Sequence, residues 1–566
     1  MTQQGPGPTR GVRADIGGVA CELADGQVVF SGRLRQGDVL LEPEAAARWF
    51  ADRVAQRGPL PALDQANGAF CYAARSGTRV WFGTDHFGGR PLFYRLGPQP
   101  EVCDRPHGPL SLRAGADEAL CCLLAAGYTV ADETLEPDLR ECAPGVAYAL
   151  DLPSGAVEPH RWYAHDATGS DAASAAELHQ LLLQAVPLAA EGILLPLSGG
   201  LDSRALLGAA LARGLPVRAY SYGVPHNPDI RIAAEVCRRT GTPHAVLPTT
   251  PAAAQRCFAP AGLAEMVAAI HLRRSLPEEH DWIALHELPW RAGLVCPGHT
   301  GDWVSGAHVD ARLASLSREP QLETYLVDLH FGLTACSSGD FHALLRHKVR
   351  QSLVEPLEAC GGDLVAAAER WNLEHRQRKY IVNSAAKYRA LGLEVHLPFY
   401  DRELMSCFRR LRLADRLGQR AYLTMLRSCL FVGERACLAE VPNTRRPGLA
   451  SPALGPEPLR QRAHRWLRAV DPGKHRKRLW PGRLQGYDDA VAVLTQDDRD
   501  AFLRRRVGAA FPLLPRCTEI ARGAGCVQAA LHLAWVQEQR VCQMNVNGLF
   551  LCAFLPHILG ACERHG

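Results

Sequence analysis

The stretch LLPLSGGLDSRALL, residues 194–207, constrains the fold of this chain more than any other. The apolar run at 193–197 predicts a buried strand, and apolar residues at helical spacing over 203–213 predict a helix. Two adjacent glycines in the loop between them let the backbone approach a ligand, and the helix start offers free N–H groups. A strand, such a loop and a helix in this order favour phosphate binding.

The loop lacks the signatures of two common nucleotide-binding loops. It has neither the lysine of G-x-x-x-x-G-K-S/T nor the pattern G-x-G-x-x-G. It carries Asp202 instead, a carboxylate that would repel phosphate unless a divalent cation lay between them. The sequence therefore predicts pyrophosphate bridged by Mg²⁺. A second carboxylate is expected from another strand end, and Asp302 in GHTGDW stands where it could provide it.

We expect the whole loop to lie at the nucleotide: Leu197, Ser198, Gly199, Gly200, Leu201, Asp202 and Ser203. The hydroxyls of Ser198 and Ser203 can donate hydrogen bonds to phosphate. Purely structural alternatives exist for these side chains. Asp202 and the two serines could cap the helix, and Asp302 could close a turn in its own loop.

The composition excludes several classes of protein. At 566 residues the chain should hold two or more domains, and a formal charge of +4 gives no electrostatic reason to expect nucleic acid. The apolar stretch at 549–562 is too short to span a bilayer, so we expect a buried helix and no membrane association. Nineteen scattered cysteines without a C-x-x-C motif or a signal peptide indicate reduced thiols in the cytoplasm and argue against a zinc site.

The hydrophobic pattern divides the chain into two domains. Residues 1–165 hold short apolar segments separated by Gly, Asp and Ser, which predicts antiparallel sheet with one or two helices. In residues 166–566, strand-like and helix-like segments alternate from position 193, which predicts a parallel sheet with ligands beyond its carboxyl ends. In the second of these helices, Asp229 is the expected N-cap and Gly241 the expected stop. The remainder of this domain should be mainly helical.

Four motifs follow one another along the chain: NGAFCYAA…GTDHFGGRPLFYR, SGGLDS, GHTGDWVSGAH and GLEVHLPFYDREL. Together they resemble the asparagine synthetase family of N-type ATP pyrophosphatases, over about residues 14–450. The resemblance implies an α/β fold: an N-terminal-nucleophile-like antiparallel αββα domain, then an ATPase domain with a pyrophosphate loop, a parallel sheet and a helical C-terminal region. It also implies ATP and Mg²⁺ as cofactors, with Ser221, Tyr222 and Gly298 beside the nucleotide.

The first domain of that family is normally a glutaminase that uses an N-terminal cysteine. Here Ala14 or Asp15 stands where that cysteine would fall, and Cys21 is neither terminal nor on the matching face. Without a thiolate and a free amine no covalent glutamyl intermediate can form, so we expect no glutaminase activity. The same loss is typical of β-lactam synthetase, carbapenam synthetase and the lasso-peptide cyclases. These relatives capture an activated carboxylate with an amine of the substrate itself.

Three further residues are candidates for the chemistry. His299 stands where the family has Glu or Tyr, and an imidazole could take the proton of an attacking amine. The acidic partner of that base would fall near Val382, so Glu394 is the substitute we consider. Arg446 stands near the family's loop lysine and could hold pyrophosphate. The structural alternatives are a surface histidine, a salt bridge and a solvated arginine.

The resemblance implies an ATP-dependent ligase that adenylates a substrate carboxylate, releases pyrophosphate and joins the acyl group to an amine. We expect that amine in the same small-molecule or peptide substrate, which would make the protein a lactam or macrolactam cyclase. Other biosynthetic proteins are the partners that such a cyclase implies. An ammonia-dependent amide synthetase is the alternative enzyme, and a non-catalytic nucleotide-binding scaffold is the alternative that is not an enzyme. The basic run at 471–483 could hold an acidic peptide or be a solvated helix end.

Overall fold

The structure is a computed structural model of the chain. It describes residues 12–24, 26–106, 110, 112–167, 169–171, 173–223, 227–248, 273–275, 280–331, 338–442, 514–531 and 533. The predicted helix at 549–562 and the basic run at 471–483 lie outside these residues.

Two sheets dominate the first region, and antiparallel pairing prevails in both. The larger has seven strands in the order β11-β10-β6-β5-β3-β2, with β4 paired to β3, and the smaller has the order β1-β8-β7-β9. The strands are β1 Arg13–Asp15, β2 Val19–Leu23, β3 Gly26–Gln36, β4 Val39–Leu40, β5 Gly68–Ser76, β6 Arg79–Thr84, β7 Phe93–Arg95, β8 Glu101–Cys103, β9 Leu139–Glu141, β10 Val146–Asp151 and β11 Val157–Arg161. The helices are α1 Pro43–Arg57, α2 Pro59–Gln65 and α3 Asp117–Ala126.

The helices and the small sheet cover opposite faces of the large sheet, because the side chains of each strand alternate between its two faces. Tyr72 packs against helix α1 through the ring of Phe50, with ring centroids 5.1 Å apart. On the opposite face of the large sheet, Phe82 of β6 meets Tyr94 of the small sheet at 5.4 Å. The layers therefore run helices, large sheet, small sheet. The predicted antiparallel α/β architecture of this region is confirmed.

The second region is built on a parallel sheet of five strands. They are β12 Ile193–Pro196, β13 Val217–Gly223, β14 His244–Pro248, β15 Leu294–Val295 and β16 Glu394–Val395, in the order β14-β13-β12-β15-β16. Every pairing is parallel, as predicted. Strand β12 is central, with β13 on one side and β15 on the other. The loops after β12 and β15 therefore meet at a switch point of the sheet, where α/β folds bind ligands.

Helices surround this sheet and make up most of the remainder. They are α4 Ala175–Ala185, α5 Leu201–Ala212, α6 Pro228–Thr240, α7 His280–Leu285, α8 Gly301–Val304, α9 Ala311–Ala314, α10 Glu319–His330, α11 Gly339–Ala359, α12 Leu364–Asn372, α13 Ala386–Ala390, α14 Arg402–Arg410, α15 Leu413–Arg416, α16 Arg420–Met425, α17 Cys437–Glu440 and α18 Leu514–Gly523. Two segments are π-helical, Leu373–Ile381 and Leu426–Leu430, and four are 3₁₀-helical, Val382–Ala385, Pro398–Tyr400, Leu417–Gln419 and Gly433–Arg435.

The helix termini near the sheet correct two expectations from the sequence. Helix α5 begins at Leu201, so Asp202 lies in its first turn and not in the loop before it. Helix α6 is capped by Asn227, whose side chain accepts the N–H of Asp229, because Pro228 occupies the first helical position. Asp229 is therefore not the cap. Gly241 ends α6 with φ +67°, as predicted.

A large apolar core joins the two regions. It brings helix α3 together with the rings of Phe341 in α11 and Trp371 in α12. In the part of the chain that the structure describes, no helix combines the length and the apolar composition needed to cross a bilayer. The described cysteines are all free thiols.

Candidate active site

Hydroxyl groups determine the shape of the loop after β12. Ser198 Oγ lies 3.2 Å from Ser203 Oγ and accepts the N–H of Gly200 at 3.1 Å. The N–H of Ser198 donates in turn to Ser203 Oγ at 3.2 Å. The N–H of Gly199 donates to Asp229 Oδ1 at 3.0 Å, which anchors the loop to the start of α6. The loop thus has a defined conformation before any ligand binds.

Arg204 supports this loop from below. Its guanidinium is buried and donates to the carbonyls of Gly199, Leu438, Val441 and Pro442 at 2.6 to 3.1 Å. Burial lowers the pKa of Arg204 to about 10, and the nearby carboxylate of Asp229 opposes that effect. The side chain therefore stays charged at neutral pH, and the chain at Pro442 runs directly beside the loop.

The loop after β15 presses against the first turn of α5. A Cβ placed on Gly298 would lie 2.8 Å from the backbone nitrogen of Ser203. A Cβ placed on Gly301 would lie 2.6 Å from the carboxyl carbon of Asp202. Contacts this short exclude any side chain larger than hydrogen. The two glycines are what allow the two predicted ligand-binding loops to touch.

Tyr422 of α16 indicates that the two carboxylates converge. Its hydroxyl donates to Asp202 Oδ1 at 3.0 Å. Burial raises the pKa of Tyr422 well above its ordinary value, and the negative charges of Asp202 and Asp302 raise it further. The hydroxyl is bonded to Asp202, and the contact of Gly301 with the same carboxylate brings the loop of Asp302 to this place. Sequence reasoning missed this tyrosine, since nothing in its own segment distinguishes it.

Asp302 remains ionised although it is partly enclosed. Its side chain is 45% exposed and accepts a hydrogen bond from His308 Nε2 at 3.4 Å. Desolvation favours the neutral acid, but the hydrogen bond and charge of His308, and the charge of Arg376, hold the pKa of Asp302 below its ordinary value. Asp302 is thus ionised at neutral pH, as an oxygen ligand for a cation would have to be.

The donor set fits a magnesium ion that is brought by a nucleotide. Among the described residues no group of three or more His, Cys, Asp or Glu could hold a metal ion. Two carboxylates are nevertheless what Mg²⁺ uses when phosphate oxygens and water complete its shell. Asp202 and Asp302 would hold the ion. Gly301, which has no side chain, allows the loop of Asp302 to lie against Asp202.

His299 faces a short helical segment after the π-helix. Its imidazole is half-buried, and Nδ1 lies 3.5 Å from the hydroxyl of Ser384. Ser384 donates its own proton to the carbonyl of Ile381 at 2.6 Å. Val382, where the family's acid would fall, is 1% exposed. A serine hydroxyl is therefore a described neighbour of Nδ1.

Thr300, the next residue, has a strained backbone with φ +74°. A β-branched residue rarely adopts this conformation, and such strain persists only where surrounding contacts impose it. The hydroxyl of Thr300 donates to Gln377 Oε1 at 2.7 Å and also contacts the hydroxyl of Tyr400. Tyr400 donates to the same Gln377 oxygen at 3.2 Å. These three side chains hold the loop between His299 and Asp302 in one conformation.

The first region supports this arrangement through the ring of Tyr400. Phe87 stacks on that ring at a centroid distance of 4.5 Å. Nε2 of His86 lies 2.8 Å from the carbonyl of Tyr400 and therefore donates to it. Burial lowers the pKa of His86 to about 3, so the imidazole is neutral. The loop after β6 thus contacts the residue that fixes Thr300.

Asp85 gives this loop its shape. It is fully buried and accepts the N–H groups of Phe70 at 2.8 Å and of Phe87 and Gly89 at 3.0 Å. Burial raises the pKa of Asp85 to about 6, although the backbone hydrogen bonds oppose that effect. Its described hydrogen bonds are all with backbone N–H groups of the first region, so the carboxylate stabilises the loop.

The other predicted nucleotide residues line the end of β13. The hydroxyl of Ser221 donates to the carbonyl of Leu197 at 2.6 Å and lies 2.9 Å from His244 Nε2. Tyr222 is half-buried beside it. Their place at the carboxyl end of a strand next to β12 is compatible with adenine contacts, which stay a prediction.

The remaining two catalytic candidates are not brought to the loop by the described contacts. Glu394 pairs with Leu294 in the sheet, five residues before His299, and its carboxylate accepts from Arg33 Nε at 3.1 Å. That ion pair is the structural alternative considered above, so the role of Glu394 beside His299 stays a prediction without a supporting contact. Arg446 lies outside the described residues.

A protein-family model matches the segment that holds this site. Residues 177–431 match the model described as asparagine synthase, and that segment contains both loops, both carboxylates and Tyr422. This segment therefore belongs to the asparagine synthase family. The family uses ATP, generally with Mg²⁺. The resemblance inferred from the motifs is thereby confirmed at the level of the family.

Curated relatives match a much shorter stretch. The chain is 50% identical over 52 residues to 7-cyano-7-deazaguanine synthase of Marinobacter nauticus, which is 9% of this chain and 24% of that protein. It is 42% identical over 55 residues to the enzyme of the same name from Marinomonas, 9% of this chain and 25% of that protein. The chain thus spans about a quarter of the length of the curated relatives it matches.

Solved structures resemble the chain only distantly. The allosteric regulatory enzyme of purine biosynthesis shares 14% identity with a TM-score of 0.18, covering 42% of this chain and 63% of that one. Glutamine phosphoribosylpyrophosphate amidotransferase from B. subtilis, complexed with ADP and GMP, shares 12% identity with a TM-score of 0.17, covering 50% of this chain and 64% of that one. Scores this low carry no argument about fold or function.

Proposed function

We propose that the protein is an ATP-dependent amide-forming ligase that activates a substrate carboxylate as an acyl-adenylate and releases pyrophosphate. The observation that carries the proposal is the meeting of two loops at the switch point of the parallel sheet. Each loop contributes one carboxylate, Asp202 and Asp302, and Tyr422 lies under the influence of both. A pair of acids at the end of a strand–loop–helix unit suits a magnesium-bound pyrophosphate better than any other common ligand.

The residues of the chain divide the work of adenylation. The hydroxyls of Ser198 and Ser203 and the N–H groups at the start of α5 can donate to the phosphates of ATP. Asp202 and Asp302 would hold Mg²⁺, which supplies charge neutralisation for the departing pyrophosphate. Arg446, which lies outside the described residues, stays our candidate for holding the pyrophosphate.

The second step requires an amine in its neutral form. His299 is half-buried, stands between Gly298 and the fixed Thr300, and can accept a proton near neutral pH. Ser384 Oγ lies 3.5 Å from Nδ1 of this imidazole. We therefore assign His299 as the base that deprotonates the attacking amine. A positioned base typically contributes ~10²–10⁴-fold to the step that it serves.

The source of the amine distinguishes the finer alternatives. The strand β1, which matches the family's nucleophile strand, holds no cysteine, and burial raises the pKa of the half-buried Cys21 on β2. The first region would then supply no ammonia. An amine carried by the substrate itself fits this best, so we propose a cyclase that closes a lactam or a peptide macrolactam in the cytoplasm.

Product analysis tests the proposal. Purified protein is incubated with ATP, Mg²⁺ and an extract that contains small molecules and peptides, with Asp202→Asn as the matched control. AMP and pyrophosphate should appear together in the wild type only, and free glutamine should yield no glutamate. Accumulation of ADP and orthophosphate would refute the assignment of the loop. If the protein binds ATP but does not turn it over, a non-catalytic scaffold is favoured. If turnover depends on added ammonia, a simple amide synthetase is favoured.

A further inference from the structure

Both oxygen atoms of the Asp302 carboxylate face a donor from the same short loop. Oδ1 accepts the N–H of Trp303 at 2.8 Å, and Oδ2 lies 3.4 Å from His308 Nε2. The side chain of His308 is 22% exposed, and that of Asp302 is 45% exposed. The two contacts orient the carboxylate, while nearly half of its surface stays accessible to a ligand.

Two buried amides determine the orientation of the His308 imidazole. Nδ1 lies 3.2 Å from Asn372 Nδ2, and Asn372 Oδ1 accepts a hydrogen bond from Gln377 Nε2 at 3.2 Å. Gln377 Oε1 in turn accepts the hydroxyls of Thr300 at 2.7 Å and of Tyr400 at 3.2 Å. Asn372 and Gln377 are 4% and 1% exposed, so these amides depend on protein partners. A continuous chain of hydrogen bonds thus joins the buried hydroxyls to the imidazole.

The polarity of this chain determines which nitrogen of His308 carries the proton. An amide NH₂ group can only donate, so the Nδ1 atom that faces Asn372 Nδ2 must accept. In a neutral imidazole the proton then lies on Nε2, because one ring nitrogen donates while the other accepts. Nε2 is the atom that faces Asp302, so a donor meets the carboxylate. The opposite tautomer would place a lone pair against a negative charge.

The π-helix makes the pairing of the two amides possible. Asn372 immediately precedes the π-helix Leu373–Ile381, and Gln377 lies five residues after Asn372. Side chains five residues apart do not meet on an α-helix, where neighbours are three or four apart. A π turn joins residues i and i+5, so here the two amides come together. The π geometry thus lets one helical segment hold Thr300 and His308, at the two ends of the active-site loop.

We propose that His308 is a positioning residue of Asp302, and that Asn372 and Gln377 hold its imidazole so that Nε2–H fixes Oδ2 for a magnesium ion. The inference rests on the proposed function, which makes Asp302 a ligand of the metal-nucleotide complex. Carboxylates that bind a metal are themselves oriented by hydrogen-bonded neighbours, and loss of such a neighbour typically lowers metal affinity ~10–100-fold. In this role His308 acts through Asp302 and contacts neither the phosphates nor the substrate.

Metal binding by a pair of variants tests the assignment. Binding of Mn²⁺ to the full chain is followed by electron paramagnetic resonance in the presence of a non-hydrolysable ATP analogue. His308→Phe keeps a ring but removes the donor, so we expect ~10–100-fold weaker binding of Mn²⁺. His308→Gln restores an N–H donor on a side chain of similar length and should recover most of the affinity. The matched control is His347→Phe, which changes an exposed histidine of α11 and should bind Mn²⁺ as the wild type does.

A spectroscopic measurement without any ligand tests the hydrogen-bond chain itself. ¹⁵N NMR of the histidine-labelled protein reports which ring nitrogen carries the proton, and the His308 signals are identified by their absence from His308→Gln. At pH 8.5 the wild type should show the proton on Nε2. Asn372→Leu replaces the amide that faces Nδ1 with an apolar side chain of similar size. In that variant the single tautomer should be lost, and Mn²⁺ binding should weaken severalfold.

The outcomes distinguish this inference from the proposed function. Equal Mn²⁺ affinities of His308→Phe and the wild type, or a proton on Nδ1 of wild-type His308, would overturn the positioning role alone. Equal losses of affinity in His308→Phe and His308→Gln would show that the donor does not matter, and would overturn it as well. Failure of the wild type to bind Mn²⁺ together with the ATP analogue would instead overturn the proposed function, and the metal role of His308 with it.

Discussion

Two aspartates in neighbouring loops show how the two regions of this protein differ. Asp85, after β6, is fully buried and accepts three backbone N–H groups of its own surroundings. Asp302, in the first turn of α8, is 45% exposed, its Oδ1 accepts the N–H of Trp303 at 2.8 Å, and its Oδ2 lies 3.4 Å from His308 Nε2. The first carboxylate is enclosed by backbone donors, whereas the second is accessible to a ligand.

In the first region, the loop shaped by Asp85 supports the candidate site of the second region. The turn shaped by Asp85 presents Phe87 to Tyr400, and Tyr400 fixes Thr300 beside His299. The second region would carry the chemistry and the first would hold it in shape. Four predictions follow this contrast, beginning with the carboxylates that should matter for turnover.

Removing the charge of Asp202 should have the largest effect. We expect Asp202→Asn to lower ATP-dependent pyrophosphate release more than ~10³-fold, because a metal-bound transition state loses several kcal/mol of stabilisation. The measurement is pyrophosphate release with the active extract. Asp340→Asn, which neutralises an exposed acid in the first turn of α11, is the matched control and should behave as wild type. Near-normal activity of Asp202→Asn would remove the metal role.

Loss of the imidazole of His299 should separate the two chemical steps. We expect His299→Ala to spare the exchange of labelled pyrophosphate into ATP and to slow amide formation ~10²-fold or more, because only amine attack needs a proton acceptor. Glu394→Gln serves as the companion, since its described ion pair is with Arg33 and it should leave both steps intact. A matching selective loss in Glu394→Gln would instead restore it as the partner of the base. Equal losses in both steps of His299→Ala would move that residue to nucleotide binding.

The support from the first region should have a smaller effect. Tyr400→Phe removes the hydroxyl that contacts Thr300 and Gln377, and we expect about tenfold slower turnover from a loosened loop. Tyr148→Phe is the matched control, because it removes a buried hydroxyl that accepts the N–H of Ala143 in the first region. Similar losses in both variants would indicate general destabilisation and contradict a specific support.

The buried Asp85 should make the stability of the protein depend on pH. Its pKa is raised to about 6, above the ordinary value near 3.9, so the stability it contributes is full at low pH and is lost as pH rises through about 6. The midpoint of thermal unfolding of the wild type, relative to Asp85→Asn, should therefore fall by several degrees between pH 4 and 7. The difference of about two pKa units between the folded and unfolded states corresponds to about 3 kcal/mol in the free energy of unfolding. A constant or rising difference would contradict the burial of an ionising Asp85.

The sequence was sufficient for the elements with short-range patterns. Alternating and continuous apolar runs gave the antiparallel and parallel sheets, and the glycine-rich motifs gave the loops that carry Asp202 and Asp302. Helix caps were less certain, since Pro228 moved the start of α6 and made Asn227 its cap. Local competition between neighbouring residues decides such termini.

Residues that enter the site from distant segments could not be predicted. Tyr422 reaches Asp202 from a helix whose own sequence does not mark it as part of a site. The pairing of Glu394 with Arg33 likewise depends on the docking of two regions separated by more than 300 residues. Only tertiary packing determines these contacts, and no periodicity in one segment records them.

The π-helix Leu373–Ile381 has a consequence for comparing this chain with its relatives. A π turn closes i→i+5 hydrogen bonds, so it takes up more residues per turn than an α-helix of the same length along its axis. An ungapped alignment that runs through this segment therefore drifts out of register with any relative whose helix is α throughout. Positions after it, including Val382 and Asn383, need to be matched by superposition, with an insertion allowed inside the π-helix.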